Sequence, residues 1–423
     1  MSNFNGDGRK NRTRVVVTGL GVVSPCGIGR EEFWKNIIDA TTFVDHVTTF
    51  DTEELPTKIA AEIKGFNPET YLNENDIRRF DETAQYAYAA SVLAFNDANI
   101  HVDAINPERL GIIIGSSHGP IKTMERDMNV VRTVGMHNVS PFAMANASTN
   151  IAPGLIALKL GLKGPNYSIV SACASGTHSI GAAYDTIAMN RADCMLAGGT
   201  ESCITHFIFS GYCFIAAMSR RNDEPKLACR PFDAARDGFV MSEGSGVILL
   251  EELNHALKRG ATIYAELIGY GASNDAVHVT NLSRRGSGVR KAMQLAIDDA
   301  GIGLDDIDYI NTHGSSTVLA DRCEAAAIKD LFKHRTGRLL INSTKSITGH
   351  MMGASGVVEA IVCALSLNES VVHRTLNYEN ADPSCELDGV TAEVVRKEIN
   401  YALSNSIGFG GATSSIVLKR YVE

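Results

Sequence analysis

Strand-like apolar runs alternate with helical patterns along the 423 residues, and part of the first half recurs in the second; together these predict an α/β protein made of two duplicated halves. Composition agrees, because 44% hydrophobic and 21% charged residues suffice for a large core.

The elements follow in order. Residues 15–17 read as the first strand, closed by Gly19 and Gly21. A helical pattern over 81–98 leads to a strand at 110–114. A strand at 167–170, a helix from about Ser175, and strands at 195–198 and 247–250 complete this half. The second half restarts with a strand at 264–271, helix 289–300, strand 307–311, helix 321–332 and strand 339–342. Helix 355–367 and strands 402–407 and 415–419 close it. The expected division is a flexible tail over 1–12, a first half over 13–259 and a second over 260–423.

Two echoes carry the duplication. Leu93-Ala-Phe-Asn-Asp-Ala-Asn-Ile100 resembles Leu295-Ala-Ile-Asp-Asp-Ala-Gly-Ile302, and each leads into an apolar strand ending in Gly-Ser-Ser. Ala174-Ser-Gly176 and Ala354-Ser-Gly356 each open a helix, in the same order. Such halves are expected to pack around a pseudo-twofold axis, so that loops distant in sequence meet at one junction.

A net charge of -9 and a pI near 5.8 offer no basic face to displace counterions from phosphates, so nucleic acid is not expected as a partner. No membrane-spanning run is expected either, and the polar start reads as a frayed tail of a cytoplasmic protein. The nine cysteines form no CxxC pair, and their odd number argues for reduced, buried thiols over a disulfide framework or structural zinc.

Cys173 follows a buried-type strand and precedes a helix, where free N–H groups and the helix dipole favour a thiolate and can hold an oxyanion. An isolated cysteine in an apolar run is more often packing, and this setting only brings the two readings level. His313 lies at a strand end in Asn311-Thr-His-Gly-Ser-Ser-Thr317, where α/β folds bind ligands, and Ser315 and Thr317 can contact a polar substrate arm. His350 lies among Gly349, Gly353 and Gly356, which allow close backbone approach. Taken singly, either histidine is more often a surface or hydrogen-bonded core residue. A buried Lys345 requires a partner, and Glu359 is the economical one; an ordinary solvated pair is the alternative. Asn405-Ser-Ile-Gly-Phe-Gly-Gly411 suggests a loop able to swing an aromatic ring, or else a plain glycine turn; it lacks the setting of a dinucleotide site.

In combination these stretches resemble the β-ketoacyl-acyl-carrier-protein synthases of the elongating Cys-His-His type, especially the synthase II branch. The match also includes Arg14-Val-Val-Val-Thr-Gly-Leu-Gly-Val-Val-Ser24, residues 161–165, Arg230-Pro-Phe-Asp233 and Asp237-Gly-Phe-Val240. The resemblance implies a thiolase-like fold of five layers, αβαβα, normally dimeric. It implies that Cys173 takes an acyl chain from the phosphopantetheine arm of an acyl carrier protein. His313 and His350 then stabilise the enolate formed when malonyl carrier protein loses carbon dioxide. Lys345 and Glu359 become a supporting pair, Phe409 a gatekeeper, and Thr280, Ser315 and Thr317 contacts for the pantetheine arm. Arg78 and Arg79 fall where basic residues meet the carrier protein. No metal or redox cofactor is implied.

Some positions depart from the family. His118 stands where an apolar residue usually flanks the acyl pocket, and Ile407 replaces a usual phenylalanine. Val318 and Ala320 interrupt a usual Thr-Pro-Leu-Gly-Asp run, and Ala412-Thr413 replaces Thr-Asn. Two readings therefore stay open: fatty acid elongation, or the catalytic ketosynthase subunit of a specialised type II polyketide or polyene synthase. The partner is accordingly a second copy or a chain-length partner subunit. A non-catalytic chain-length subunit would lack the nucleophile that Cys173 retains, a thiolase would carry a second cysteine near Phe409, and a starter-condensing enzyme an asparagine at His350.

Overall fold

The computed structural model describes residues 12–100 and 105–422, so all of the expected tail except Arg12 lies outside them. Among the described residues each half contributes five strands to the path of the central sheet, and the short strand Gly27–Ile28 pairs beside the first of them. The first half holds β1 (Val15–Ser24), β2 (Leu110–Gly115), β3 (Asn166–Ile169), β4 (Cys194–Glu201) and β5 (Gly244–Glu252). The second holds β6 (Ala265–Asn274), β7 (Tyr309–Asn311), β8 (Leu340–Asn342), β9 (Tyr401–Ile407) and β10 (Ala412–Lys419). The spatial order is β3-β2-β4-β5-β1 in one half and β8-β7-β9-β10-β6 in the other. In both, the two pairings nearest the outer edge are parallel and the next two antiparallel. The halves join where Val15 to Val17 pair antiparallel with Ala265 to Leu267.

Helices complete five layers. Helix α1 (Glu82–Asp97) covers the outer face of the first sheet, and α4 (Ser287–Ala300) and α5 (Val318–Phe332) that of the second. Between the sheets lie α2 (Ser175–Ala188) and α6 (Ser355–Glu369); α3 (His206–Phe214) lies beside the entrance to the site. Every residue of α6 from Ser355 to Leu367 is buried, which requires a helix apolar on all sides. This corrects one expectation: the stretch Met352–Glu369 is long and apolar enough to cross a bilayer, with mean hydropathy 1.2, yet 89% of it is buried in this core.

A second correction concerns Gly19 and Gly21, which lie inside β1 instead of closing it. A Cβ at either would collide with the α1 carbonyls of Ala94 or Ala90. Gly269 and Gly271 in β6 meet the Ala296 and Ala292 carbonyls of α4 in the same way. The two central helices abut through their shared Ala-Ser-Gly openings, since a Cβ at Gly176 would lie 2.8 Å from the Gly353 carbonyl and one at Gly356 would strike Thr177.

Candidate active site

All nine cysteines are unpaired and buried. Cys173 is set apart by its backbone. It follows Ala172, held at φ 51°, a conformation that costs a non-glycine residue about 1 kcal/mol, and it precedes the first turn of α2. Ser175 braces this elbow, its Oγ accepting from the Ser171 N–H at 2.9 Å and donating to the Ala172 carbonyl at 2.6 Å.

His313 sits just past β7, its N–H donating to Glu324 Oε1 at 2.9 Å while Gly314 N–H donates to Oε2 at 2.8 Å. Asn405 Nδ2 reaches the same carboxylate at 3.1 Å, so α5 and β9 fix the loop together. His350 is anchored by its N–H to the Val240 carbonyl at 2.7 Å, and its Nδ1 lies 3.0 Å from Ser355 Oγ. The two imidazoles meet edge to face with centroids 5.3 Å apart. Lys345 and Glu359, both buried, pair at 2.5 Å.

A cavity of about 370 Å³ opens over these groups and is lined by Cys173, His313 and His350 together. Thr280, Ser315, Thr317, Ile407 and Phe409 also line it. Gly408 lets the Phe409 loop lie against the Cys173 elbow, because a Cβ there would meet the Ser171 carbonyl at 2.5 Å. The Phe409 ring, 40% exposed, rests 6.1 Å from that of Tyr212.

Burial controls the electrostatics. It drives both imidazoles well below the usual histidine range, helped by the Lys345 charge, so they are neutral at pH 7. Their rings therefore act as neutral donors and acceptors, and His313 Nδ1 is buried without a partner among the described residues. Burial raises Glu359 to about 7 against the pull of Lys345. It also pushes the Cys173 thiol up to about 12, outweighing Lys345. The expected thiolate is thus corrected to a resting thiol, since loss of solvation exceeds what the helix terminus returns.

Other expected residues lie elsewhere. His118 stands behind Tyr212, its Nε2 3.4 Å from the tyrosine hydroxyl and its Nδ1 3.6 Å from Glu201 Oε1, and does not line the cavity. Arg78 and Arg79 end the short helix Glu74–Arg79, also away from the cavity lining. Arg78 pairs with Glu74 at 2.8 Å, and the Arg79 guanidinium lies 4.1 Å over the Phe142 ring. Lys345 and Glu359 support the floor from behind.

Sequence reasoning missed Tyr212, Phe239 and Met352 in the lining and Glu324 beneath His313. Glu324 had a readable signal: it lies four residues before Ile328 on the buried face of α5, where a carboxylate needs partners. The fold also gathers Cys194, Glu251 and His255, which no spacing announced. There Glu251 is already held by Arg259 at 2.7 and 2.8 Å.

Comparison with known proteins shows what this architecture belongs to. Residues 12–256 match the model of the β-ketoacyl synthase N-terminal domain and residues 264–379 that of its C-terminal domain. The chain belongs to the β-ketoacyl synthase family. Among curated β-ketoacyl synthases, the 3-oxoacyl-[acyl-carrier-protein] synthase 2 of Coxiella burnetii is 43% identical over 412 residues, covering 97% of this chain and 100% of the relative. That of Staphylococcus aureus strain COL is 42% identical over 408 residues, covering 96% and 98%. Among solved structures, the ishigamide ketosynthase/chain length factor superposes with a TM-score of 0.91 at 31% identity, covering 97% of this chain and 100% of that one. A β-ketoacyl synthase from Burkholderia phymatum gives 0.90 at 35% identity with the same coverage. A type II polyketide ketosynthase solved with its acyl-carrier protein gives 0.90 at 33%, again with that coverage. The thiolase-like α/β fold expected of a β-ketoacyl synthase is the fold observed.

Proposed function

We propose that this chain is a decarboxylating condensing enzyme of fatty acid elongation, joining an acyl group to malonyl-acyl-carrier protein to give 3-oxoacyl-acyl-carrier protein. The observation carrying this reading is the single cavity that holds a thiol from one half and two neutral imidazoles from the other. The dividing line between 13–259 and 260–423 gives the nucleophile to the first half and the histidines to the second.

In the first step Cys173 Sγ attacks the acyl thioester, and the thiol proton ends on the departing pantetheine sulfur. The N–H groups of Cys173 and Phe409 are the donors for the tetrahedral oxyanion. Malonyl carrier protein then occupies the cavity, with Thr280, Ser315 and Thr317 along its arm. Loss of carbon dioxide leaves negative charge on the thioester oxygen as an enolate. Neutral His313 and His350 each offer it an N–H without first carrying a charge that burial would penalise. Lys345 keeps them neutral and Glu359 balances that lysine. The enolate carbon attacks the acyl-Cys173 carbonyl, and Cys173 leaves as thiolate and regains a proton from solvent.

The exposed edge of β3, with Tyr167 and the next residue after the strand, Val170, and the exposed Met124, Met128 and Val131 of helix Ile121–Thr133 suit a second copy or a chain-length partner subunit. Nine unpaired cysteines suit the reducing cytoplasm.

One observation favours the second reading, a specialised polyketide or polyene ketosynthase. The cavity-lining Tyr212 is backed by the polar His118, whose Nε2 lies 3.4 Å from the tyrosine hydroxyl, so this wall is less apolar than a saturated chain favours. One experiment addresses both: offer the purified protein a panel of acyl carrier proteins and follow Cys173 acylation by intact mass. Elongation predicts labelling by saturated acyl groups of several lengths. Labelling only by oxidised or conjugated chains would move the assignment to the second reading, and no labelling at all would overturn both.

A further inference from the structure

Glu201, the last residue of β4, is fully buried, yet no lysine or arginine pairs with it among the described residues. His118 Nδ1 stands 3.6 Å away, beyond hydrogen-bond reach. Four donors hold the carboxylate instead. Oε1 accepts from His118 N–H at 3.0 Å and from Ser116 Oγ at 3.2 Å, and Oε2 accepts from Ser117 N–H at 2.8 Å and from Gly353 N–H at 3.1 Å. His118, Glu201 and Cys203 bring ligand atoms within 4.8 Å of one another, but these four bonds occupy the lone pairs a metal ion would need from the carboxylate.

The donors come from both halves. Ser116, Ser117 and His118 form the loop after β2, and the Ser116 carbonyl accepts in turn from Ser175 Oγ at 3.3 Å. That hydroxyl is the one bracing the Cys173 elbow. Gly353 opens α6, three residues beyond His350, and between them Met352 is held at φ 46° and lines the cavity with Cys173. The junction has no slack. A Cβ on Gly199, two residues before Glu201, would lie 2.5 Å from the Gly353 carbonyl, and one on Gly353 would lie 2.9 Å from Glu201 Oε2. One carboxylate thus ties the elbow of the nucleophile and the loop of the second histidine to a common point.

We propose that Glu201 is a positioning residue for carbon–carbon bond formation, fixing Cys173 relative to His350 across the two halves. The inference rests on the proposed function and adds the group that sets the register between its two partial reactions. Acylation depends on the Cys173 elbow and the Phe409 turn, and decarboxylation on the His313 and His350 loops, so each tolerates a small shift between Cys173 and His350. Condensation does not. The enolate carbon must reach the acyl carbonyl, form the new bond and expel the Cys173 sulfur as thiolate, and misplacing reacting atoms by about 1 Å costs on the order of a hundredfold. An enolate that misses the acyl group takes up a proton and leaves as acetyl-carrier protein.

The test uses the full-length protein with acyl and malonyl carrier proteins. Cys173 acylation is followed by intact mass, carbon dioxide release is followed separately, and the ratio of 3-oxoacyl- to acetyl-carrier protein is read by mass spectrometry. Glu201→Gln keeps the shape of the side chain but turns an amide N–H group towards backbone donors. It is expected to slow acylation and carbon dioxide release by no more than about threefold while lowering the product ratio by about tenfold or more. Glu201→Asp keeps both acceptor oxygens on a shorter arm and should lower the ratio in the same direction by a smaller factor; it decides the matter if the Gln variant does not fold. A product ratio equal to that of wild type, whether or not the rates fall, would overturn the proposal, because a purely structural carboxylate would affect all steps together. Failure of both variants to fold would assign the carboxylate to folding and overturn it as well. Wild-type protein that neither acylates Cys173 nor releases carbon dioxide would instead overturn the functional reading beneath it.

Discussion

The two halves share a frame and differ at one position of it. Aligned on their Ala-Ser-Gly openings, Cys173 before α2 corresponds to Gly353 before α6. Cys173 faces the cavity, whereas Gly353 is pressed into the helix junction, where a Cβ would lie 2.6 Å from the Ser117 nitrogen. The Gly-Ser-Ser loops diverge similarly. The first is pinned by Glu201, which accepts from Ser117 N–H at 2.8 Å and His118 N–H at 3.0 Å. The second carries His313 before it and Ser315 within the cavity lining. Small residues therefore maintain the shared packing, and loop-end residues divide the labour: one half holds the acyl group, the other the enolate.

The largest expected effect breaks that division. Cys173→Ala should lose acyl transfer by at least about a thousandfold, because among the described residues Cys173 alone brings a thiol to the cavity lining. His350→Ala should lower malonyl decarboxylation by about a hundred- to a thousandfold, the usual loss for one oxyanion donor, while still acylating itself. Separate assays of carbon dioxide release and of Cys173 mass read the two steps. Equal loss of both steps in His350→Ala would show that the halves do not divide the reaction as assigned.

Next in size is the frame. Gly19→Ala and Gly269→Ala each force a methyl group onto an outer-helix carbonyl in equivalent places. Each should cost about 1–3 kcal/mol, the usual range for overpacking, and the two should agree within about 0.5 kcal/mol. Urea denaturation midpoints check this. A large cost in one half alone would mean that the duplicated sequence no longer does duplicated work.

Legibility in the sequence follows the same line. Strand and helix alternation survived translation into structure because strands buried on both faces are continuous apolar runs, as in β1 and β5. Gly19 and Gly21 misled because glycine marks turns and close helix contacts alike, and only the partner helix decides. Residues converging on the cavity were nameable from local context, since each sits at a strand or helix end. The protonation state of Cys173 was not, because it depends on burial from every side and not on its own helix. Tyr212 was invisible because α3 has a weakly amphipathic, mostly apolar sequence and the aromatic contacts of its tyrosine come from β-loops far away in the chain.

The smallest expected effect separates the halves by pH. In the first half, burial acts on the Cys173 thiol, which is protonated at neutral pH whether folded or unfolded, so it adds no pH dependence there. In the second, it acts on His313, His350 and His373, the last lowered to about 4. Unfolded, these imidazoles take up protons near 6.5 while the folded ones do not. The unfolded state therefore binds more protons below pH 6.5, so stability is complete above that value and falls as pH drops through it. Each histidine adds at most about 1.4 kcal/mol per pH unit. Glu359 and Asp321, both raised to about 7, work the other way: their contribution is complete below the unfolded carboxylate range and is lost as pH climbs towards 7. Half-buried His178 in the first half adds a small term of the histidine sign. The double variant His313→Asn with His350→Asn should flatten the fall in urea midpoint between pH 6.5 and 5, while Cys173→Ala should leave that fall unchanged. A double variant that keeps the wild-type slope would mean that the imidazoles do not enter the fold neutral, and with that the neutral-donor account of enolate stabilisation would go too.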